Sequence, residues 1–545
     1  MDPNPHRRLL PWLAAVALLL PPVFFMQPVP IDETRYLAIA WNMRLSGQHL
    51  VPWLDGLPYS DKPPLLFWLI DMMWSVAGVH AWAARLLELL IALGTLPLMA
   101  SLGRQLGLDR AAVWGAQWLW LGCAATVAFA DAVMFDMPLT LATLVAWRAV
   151  FVLVESGRPA GVPAMALALG AGILIKGPVA LLVGGLPALL APWWLPAART
   201  HPRAFYLRLL GAVAGAVAVA LSWAVLAAWA GGPAYADAIF LRQTVGRVVT
   251  SFAHDRPWWW YLAVLPAMLL PWLLGIGRGS GRGAQDGRVR STDRFMLASF
   301  VPGVAVFSLI SGKQPHYLLP LLPALALAAG ARLGSGRWRV IGWRVGLVLT
   351  AVGLAVGVGL SRAAAPGSGL GAWFCGAAIV IVGSLFVFRR ARALPVSLAA
   401  LGMLATFGLA KLAFVLSIGP SYDVRAVSGR IADAQRTGIP LLYAGKQQGL
   451  FTFAGRLTAP ISAAQDSDRI AAWSRAHPDG WVISGDADFH YAAAPLYQQP
   501  YAGRGLFIWR AGSVAADAAR AARPDATVSK PRPARHGRGE GTGAR

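Results

Sequence analysis

The sequence predicts a polytopic α-helical membrane protein with about 13 transmembrane helices, interfacial helices in its first outer loop and a small C-terminal α/β domain outside the cytoplasm. Three observations support this prediction. Of 545 residues, 57% are hydrophobic and 13% charged, about half the charged share of a soluble protein. The hydrophobic residues form runs of about 18 or more, long enough to cross a bilayer. Arginines gather in alternate breaks between these runs, as cytoplasmic loops do.

The hydrophobic runs define the predicted spans in order. They cover residues 9–27, 82–103, 111–129, 138–154, 163–176, 177–195, 206–229, 258–277, 294–311, 316–331, 341–360, 371–388 and 394–417. The first run follows the basic residues Arg7 and Arg8 but precedes Gln-Pro-Val-Pro rather than a small-residue cleavage site. It is therefore predicted to be an uncleaved span and not a signal peptide.

The distribution of charge predicts the orientation. With the N-terminus in the cytoplasm, the cytoplasmic loops hold the arginine clusters, such as those at 278–294 and 332–344, and the outer loops hold few cations. A span at 65–79 would invert this alternation downstream, so that stretch is predicted to be an interfacial helix. Two sizeable outer loops result, 28–81 and 231–257.

The chain after the last span is predicted to lie outside the cytoplasm. Residues 1–419 form the membrane domain, and residues 420–512 a small domain in which strand-like runs at 439–443, 481–484 and 506–509 alternate with a helical stretch at 466–476. Residues 513–545 form a basic tail, rich in Pro, Gly and Arg from Arg523 on and predicted to be disordered.

Composition argues against two classes of protein. The net charge of +23 does not indicate a nucleic-acid partner, because the basic residues sit in short loops between spans. The two cysteines, Cys123 and Cys375, lie in apolar runs, so a disulfide framework is not expected.

The few charges of the outer loops cluster, and polar groups at membrane depth are functional candidates by default. The clusters are Asp32-Glu33-Thr34-Arg35-Tyr36, Tyr59-Ser60-Asp61-Lys62-Pro63-Pro64, Asp131 with Asp136, Lys176 between two apolar runs, and Lys313-Gln314-Pro315-His316-Tyr317. Structural interpretations stay open for four of them. Asp32 and Asp136 could cap helices, Lys62 could bind lipid headgroups, and Lys176 could snorkel to the interface.

Carboxylates and cations on one face suit a lipid-linked sugar phosphate. Lys, Arg, His and Tyr can hold its phosphate, which is also the leaving group, so stabilising negative charge matters more than supplying a proton. A carboxylate can then position or deprotonate the acceptor. The tail of the carrier would lie along the long interfacial loop.

The two first-loop motifs, Asp32-Glu33-Thr34-Arg35-Tyr36 and Tyr59-x-Asp61-Lys62-Pro63-Pro64, resemble the signature of bacterial aminoarabinose transferases and related polyprenyl-phosphate-dependent glycosyltransferases. With the protein O-mannosyltransferases, these form the membrane glycosyltransferases of the C-type fold. The resemblance extends over essentially the whole chain. It implies a polyprenyl-phosphate-linked sugar donor, a membrane-lipid environment and a lipid or protein acceptor.

The resemblance also implies roles for individual residues. Asp32, with Glu33 beside it, matches the catalytic carboxylate, and Asp136 matches the second acidic residue. The substrate-binding candidates are Arg35, Tyr59, Lys62, Lys176, Arg247 and Tyr317, to which the fifth cluster adds Lys313 and His316.

Two departures from the family pattern concern a metal and the acceptor. Asp61 stands where these transferases typically have Glu, and Gln243-Thr244 where they have the Glu-His pair of a structural metal site, unless His254 substitutes. No cofactor is predicted with certainty. A divalent cation stays open, with Asp61 as its candidate ligand.

The predicted function is transfer of a sugar from undecaprenyl phosphate to a cell-envelope acceptor such as lipid A, at the periplasmic face of the bacterial inner membrane. The N-terminus would be cytoplasmic and the C-terminal domain periplasmic. A protein O-mannosyltransferase is the alternative within the same class. A transporter or flippase should show inverted repeats and charge near the midplane. A membrane scaffold would not need paired acidic and basic motifs on one face.

Overall fold

The computed structural model describes residues 5–154, 160–240, 255–279, 286–364, 369–388, 394–486 and 488–521. The chain divides into two compact units. The membrane unit comprises the residues up to Ala432 together with Gln448–Pro460, and the α/β unit comprises Asp433–Gln447 and the residues from Ile461 on.

Helices dominate the described residues. In chain order they are α1 (Pro5–Phe25), α2 (Asp32–Ser46), α3 (Leu65–Ala77), α4 (Ala81–Gln105), α5 (Arg110–Leu121), α6 (Ala124–Phe129), α7 (Asp136–Val154), α8 (Gly161–Lys176), α9 (Val179–Leu189), α10 (Ala191–Trp194), α11 (Pro202–Gly231), α12 (Pro233–Asp237), α13 (Trp260–Met268), α14 (Trp272–Gly275), α15 (Asp286–Leu309), α16 (Leu322–Gly334), α17 (Gly342–Ala363), α18 (Leu370–Phe388), α19 (Val396–Ser417), α20 (Arg425–Arg436), α21 (Thr452–Gly455), α22 (Ser467–Ala476) and α23 (Ala511–Ala521). Short 3-10 helices cover Pro196–Arg199, Pro315–Leu321 and Gly419–Tyr422.

Eight segments in the described ranges are long and apolar enough to cross a membrane. They are Ala81–Gln105, Asp136–Val154, Pro202–Gly231, Val289–Leu309, Pro315–Gly334, Gly342–Ala363, Leu370–Phe388 and Val396–Ser417. Within the same described ranges, four apolar helices are shorter: Leu9–Phe25, Leu65–Ala77, Gly161–Lys176 and Val179–Leu189. The chain is a helical membrane protein, as predicted, while the exact number of its spans remains a prediction.

Two predicted spans are broken instead of continuous. The span predicted at 111–129 is interrupted at Gly122–Cys123, and the one at 258–277 before Pro271, which has no N–H to donate. The breaks bond to each other, since Ala124 N donates to Leu270 O at 2.8 Å and Trp272 Nε1 to Leu119 O at 2.7 Å. Interrupted helices are tolerated at membrane depth where neighbouring protein satisfies the freed groups, and apolar periodicity does not reveal that.

The core of the membrane unit surrounds α7, which packs against α4, α8 and α9. Trp118, Trp120 and Trp147 are fully buried there. Two short antiparallel pairs complete this unit. Strand β1 (Trp53–Leu54) pairs with β2 (Leu57–Pro58) around the Asp55-Gly56 turn, where both residues have positive φ, and β3 (Ile276–Arg278) pairs with β4 (Trp338–Val340).

The α/β unit contains a five-stranded sheet. Its strands are β5 (Leu441–Ala444), β6 (Ser462–Ala464), β7 (Trp481–Ser484), β8 (Tyr497–Tyr501) and β9 (Arg504–Arg510), in the order β6-β5-β7-β9-β8. The first three run parallel, and β9 is antiparallel to β7 and β8. All four residues of β5 are buried, as in a strand covered on both faces.

Helix α23 begins at Ala511 and continues into the stretch predicted to be a disordered tail. It extends to Ala521, because it is alanine-rich and places the fully buried Val514 in the core of the α/β unit. The rest of that tail, residues 522–545, lies outside the described residues.

Candidate active site

Asp32 lies at the start of α2 with its carboxylate accessible. The residue in the N-cap position is Ile31, so Asp32 is not the capping residue, although its charge suits the first turn of a helix. The Asp32 side chain is 46% exposed. The Tyr36 hydroxyl donates a hydrogen bond to Asp32 Oδ1 at 3.1 Å. Burial, with Tyr59 and Asp32 nearby, raises the pKa of Tyr36 well above its ordinary value, so this phenol remains a donor.

Glu33, the neighbouring carboxylate, is buried and fully engaged. Its Oε2 accepts from Val29 N at 2.7 Å and from Arg85 Nη2, and its Oε1 accepts from Val133 N at 2.9 Å. Successive residues of a helix point in different directions, so only one of this acidic pair reaches the accessible surface. The catalytic role predicted for Glu33 is therefore not supported. Its contacts instead join the segment before α2 to α4 and to the segment between α6 and α7.

Arg35 lies one turn further along α2, between several polar partners. Its Nη2 donates to Gln448 Oε1, its Nη1 lies 3.8 Å from Asp32 Oδ1, and Tyr59 lies within its electrostatic reach. Burial on its own lowers the pKa of the Arg35 guanidinium, but Tyr59, Tyr36 and Asp32 raise it, and the net pKa lies above the ordinary value. Arg35 is therefore a permanent cation beside Asp32.

Lys62 approaches the site from the Lys-Pro-Pro motif. Its Nζ lies 6.0 Å from the centroid of the Phe135 ring, at the edge of cation–π range. The Phe135 ring is also packed edge-on by Tyr36 at 4.8 Å and by Phe67 at 5.6 Å. Lys62 therefore borders a cluster of aromatic rings.

Asp136, Lys176, His316 and Tyr317 form a second group of polar residues. The Asp136 carboxylate is only 3% exposed; it pairs with Lys176 and lies 3.8 Å from His316 Nε2. Lys176 Nζ also lies 4.3 Å from the centroid of the Tyr317 ring. Asp136 starts α7, Lys176 ends α8, and the other two begin a 3-10 helix. Lys176 is therefore held by a buried carboxylate rather than snorkelling freely.

The two groups belong to one site. His316 lies within electrostatic reach of Asp136 and Lys176 and also of Asp32 and Lys62. Residues from five separate stretches of the chain therefore come together, and each of the five predicted functional clusters contributes at least one of them.

One predicted substrate-binding residue, Lys313, does not join this arrangement. The Lys313 ammonium is buried and donates to the carbonyls of Arg256 at 2.9 Å and Ile310 at 2.5 Å. Because backbone carbonyls bind its ammonium group, Lys313 stabilises the loop instead of facing the site. Arg247 lies outside the described residues, as do Gln243, Thr244 and His254.

Sequence reasoning missed several polar residues around the site. Arg85 bridges Glu33, Gln27 O and Asp131 O, and Lys411 pairs with Asp131. Glu88 is fully buried close to the carboxylates of Asp131 and Asp136. A signal existed for these three, since Arg85, Glu88 and Lys411 are charges inside predicted spans. Gln448 carried no comparable signal.

Among the described residues, no group of three or more His, Cys, Asp or Glu side chains is arranged to hold a metal ion. Asp61 is exposed and belongs to no such group among the described residues, so its role as a ligand stays a prediction.

The fold is similar to that of a membrane protein of known structure. The crystal structure of ArnT from Cupriavidus metallidurans bound to undecaprenyl phosphate superposes with a TM-score of 0.74, covering 92% of this chain and 98% of that one at 18% identity. Residues 61–223 match the family described as dolichyl-phosphate-mannose-protein mannosyltransferase.

Two relatives carry the likeness to a particular transferase. The undecaprenyl phosphate-α-4-amino-4-deoxy-L-arabinose arabinosyl transferase 1 of Pseudomonas fluorescens is 29% identical over 357 residues, which are 62% of this chain and 64% of the relative. Transferase 2 of another strain is 31% identical over 339 residues, 60% of each chain. The resemblance predicted from the first-loop motifs is confirmed. The chain spans less than two thirds of the length of these relatives.

Proposed function

We propose that this protein transfers a sugar from undecaprenyl phosphate, or a similar polyprenyl phosphate, to an acceptor of the cell envelope, with lipid A as the first candidate. The observation that carries the proposal is the meeting of Asp32 and Lys62 with Asp136, Lys176 and His316 at one site. An accessible carboxylate beside several cations suits a phosphate leaving group and an acceptor nucleophile. The names of the relatives indicate the donor and the sugar.

In this proposal the cations bind the donor phosphate. Lys62 and Arg35 approach from the first loop, and Lys176 approaches with Tyr317 from the other side. Asp136 acts indirectly, because its buried carboxylate holds Lys176 and His316 in place. The negative charge that develops on the departing phosphate would thus meet fixed positive charge.

Asp32 faces the acceptor. If the acceptor is a lipid A phosphate, it is already an anion, and Asp32 orients it. A hydroxyl acceptor, as in protein glycosylation, would need Asp32 as a base. The second possibility is kept because residues 61–223 match the protein mannosyltransferase family.

The proposal places the N-terminus in the cytoplasm, with residues 1–419 as the transferase domain and residues 420–512 in the periplasm. Cysteine labelling tests this orientation. Both native cysteines are buried, so the background should be low. Leu57→Cys, at an exposed position of the first loop, should react with an impermeant thiol reagent in spheroplasts, and Thr200→Cys should react only after lysis. The opposite pattern would put the site on the cytoplasmic face.

Lys62→Ala should raise the apparent KM for the lipid donor by about 10-fold or more, because a charge-assisted contact to phosphate is lost. Its kcat should change less. Steady-state kinetics with a varied donor would measure both values. An unchanged KM would leave Lys62 as a headgroup-binding or structural lysine.

A donor-consumption assay tests the function itself. Purified protein in proteoliposomes would receive undecaprenyl phosphate carrying a panel of labelled sugars, with envelope lipids and envelope proteins as separate acceptors. Label moving to lipid supports the first candidate, and label moving to protein supports the mannosyltransferase alternative. If no donor releases its sugar, the proposal fails, and movement of intact donor across the bilayer would favour a flippase.

A further inference from the structure

The segment Gln448–Pro460 packs within the membrane unit, although in the sequence it connects β5 to β6. We call it the returning segment. Gly449 N donates to the Asp55 carboxylate, at 3.1 and 3.2 Å from its two oxygens, and the Trp41 indole donates to Leu457 O at 2.8 Å. The Phe453 ring stacks on Trp74 with centroids 5.3 Å apart. These contacts attach the returning segment to α2, α3 and the β1–β2 turn.

The closest approach is at the start of the returning segment. A Cβ on Gly449 would lie 2.7 Å from Ala38 Cβ of α2, so only glycine fits there. Gln448, just before it, has a φ of 54°, a conformation that residues other than glycine rarely adopt. Surroundings that enforce such a conformation are frequent at functional sites. Here the enforced backbone directs the Gln448 side chain towards Arg35.

The Arg35 guanidinium has a choice of partners. It lies three residues from Asp32 on the same helix, where opposite charges readily pair. The distance from Arg35 Nη1 to Asp32 Oδ1 is nevertheless 3.8 Å, longer than a hydrogen bond. Its Nη2 donates a hydrogen bond instead to Gln448 Oε1. The Asp32 carboxylate therefore stays accessible, and the neighbouring Arg35 guanidinium does not hydrogen-bond to it.

We propose that Gln448 is a positioning residue of the active site, which holds the Arg35 guanidinium away from Asp32. This inference rests on the proposed function. With Arg35 held back, the cation remains available to the donor phosphate and the carboxylate to the acceptor. Without Gln448, Arg35 would close on Asp32, and one ion pair would occupy both groups.

The kinetic test is a double-mutant cycle. Gln448→Ala should lower kcat/KM by about 10-fold or more, with most of the loss in kcat. Gln448→Glu, which keeps an oxygen acceptor for Arg35, should recover most of the activity. In an Arg35→Ala background, Gln448→Ala should lower kcat/KM by less than about 2-fold further, because the guanidinium that Gln448 restrains is absent.

The matched control is Gln447→Ala, which shortens the neighbouring glutamine. Its activity per folded protein should stay within about 2-fold of wild type, as for residues outside a coupled network. If Gln448→Ala costs the same with and without Arg35, Gln448 acts independently of Arg35, as a substrate contact would, and the proposal is wrong. Equal losses for both glutamines would point to general loosening of the segment and would also overturn it.

A second measurement does not depend on turnover. In a structure of the Gln448→Ala protein, Arg35 should move to within about 3.2 Å of Asp32. If the guanidinium stays beyond hydrogen-bond distance, the proposal fails whatever the activity. Failure of the proposed function would show differently, as a wild-type protein that consumes no polyprenyl donor.

Discussion

Asp32→Asn should lower sugar transfer by about 10²–10⁴-fold while the protein stays folded. The change removes the negative charge and little volume. Asp32 is nearly half exposed, and the hydrogen bond that it accepts from the Tyr36 hydroxyl can also be accepted by an asparagine oxygen. Because the substitution leaves no buried charge without a partner, the midpoint of thermal unfolding should change little. The assay is donor consumption, with the midpoint measured on the same preparation.

Glu33→Gln is the matched control, at the adjacent carboxylate. Arg85 would keep a buried charge without its counter-ion, and breaking such a pair costs about 3–5 kcal/mol of stability. The folded fraction should retain its turnover, since Glu33 does not reach the site. If Asp32→Asn remained active, Asp32 would lose its proposed role. If Glu33→Gln lost turnover without losing stability, the roles of the two carboxylates would have to be exchanged.

Asp136→Asn should lower kcat/KM by about 10- to 100-fold and also destabilise the protein. The Asp136 carboxylate is buried against Lys176 and His316, so its removal leaves the Lys176 charge uncompensated and the phosphate-binding group misplaced. Kinetics with a varied donor should show a change in both kcat and KM. The thermal midpoint should fall in parallel.

Asp131→Asn separates the two effects. Asp131 also lies in a buried pair with a lysine, Lys411, and is as buried as Asp136. Its replacement should lower the thermal midpoint by a similar amount and leave the activity of the folded protein near wild type. Equal losses of activity in both variants would mean that general destabilisation explains the effect of Asp136.

The sequence predicted which clusters carry the site because their side chains are polar where the bilayer makes polarity costly. It could not rank members within a cluster. Asp32 and Glu33 are adjacent and acidic, and only the rotation of α2 decides which is exposed. Lys313 and Lys176 are both lysines beside apolar runs, yet one bonds to backbone carbonyls and the other to a carboxylate. These outcomes depend on contacts between distant residues.

For the fold, too, the sequence predicted some features and missed others. Hydrophobic runs indicated where helices lie, because their length reflects the thickness of the bilayer. The breaks at Gly122 and before Pro271 went undetected, since each satisfies hydrogen bonds of the other from some 150 residues away. Gln448 was missed for a similar reason: its partner Arg35 is 413 residues distant in the chain.

The returning segment limits how the gene can be shortened. A truncated protein that ends at residue 419 would lose not only the α/β unit but also the residues that cover Trp41 and Trp74 in the membrane unit. Inactivity of such a truncation would therefore not reveal what the α/β unit does. Removal of that unit alone requires two excisions and a short linker that keeps 448–460 attached. Homologous recombination between relatives should obey the same rule, with 448–460 exchanged together with the first loop.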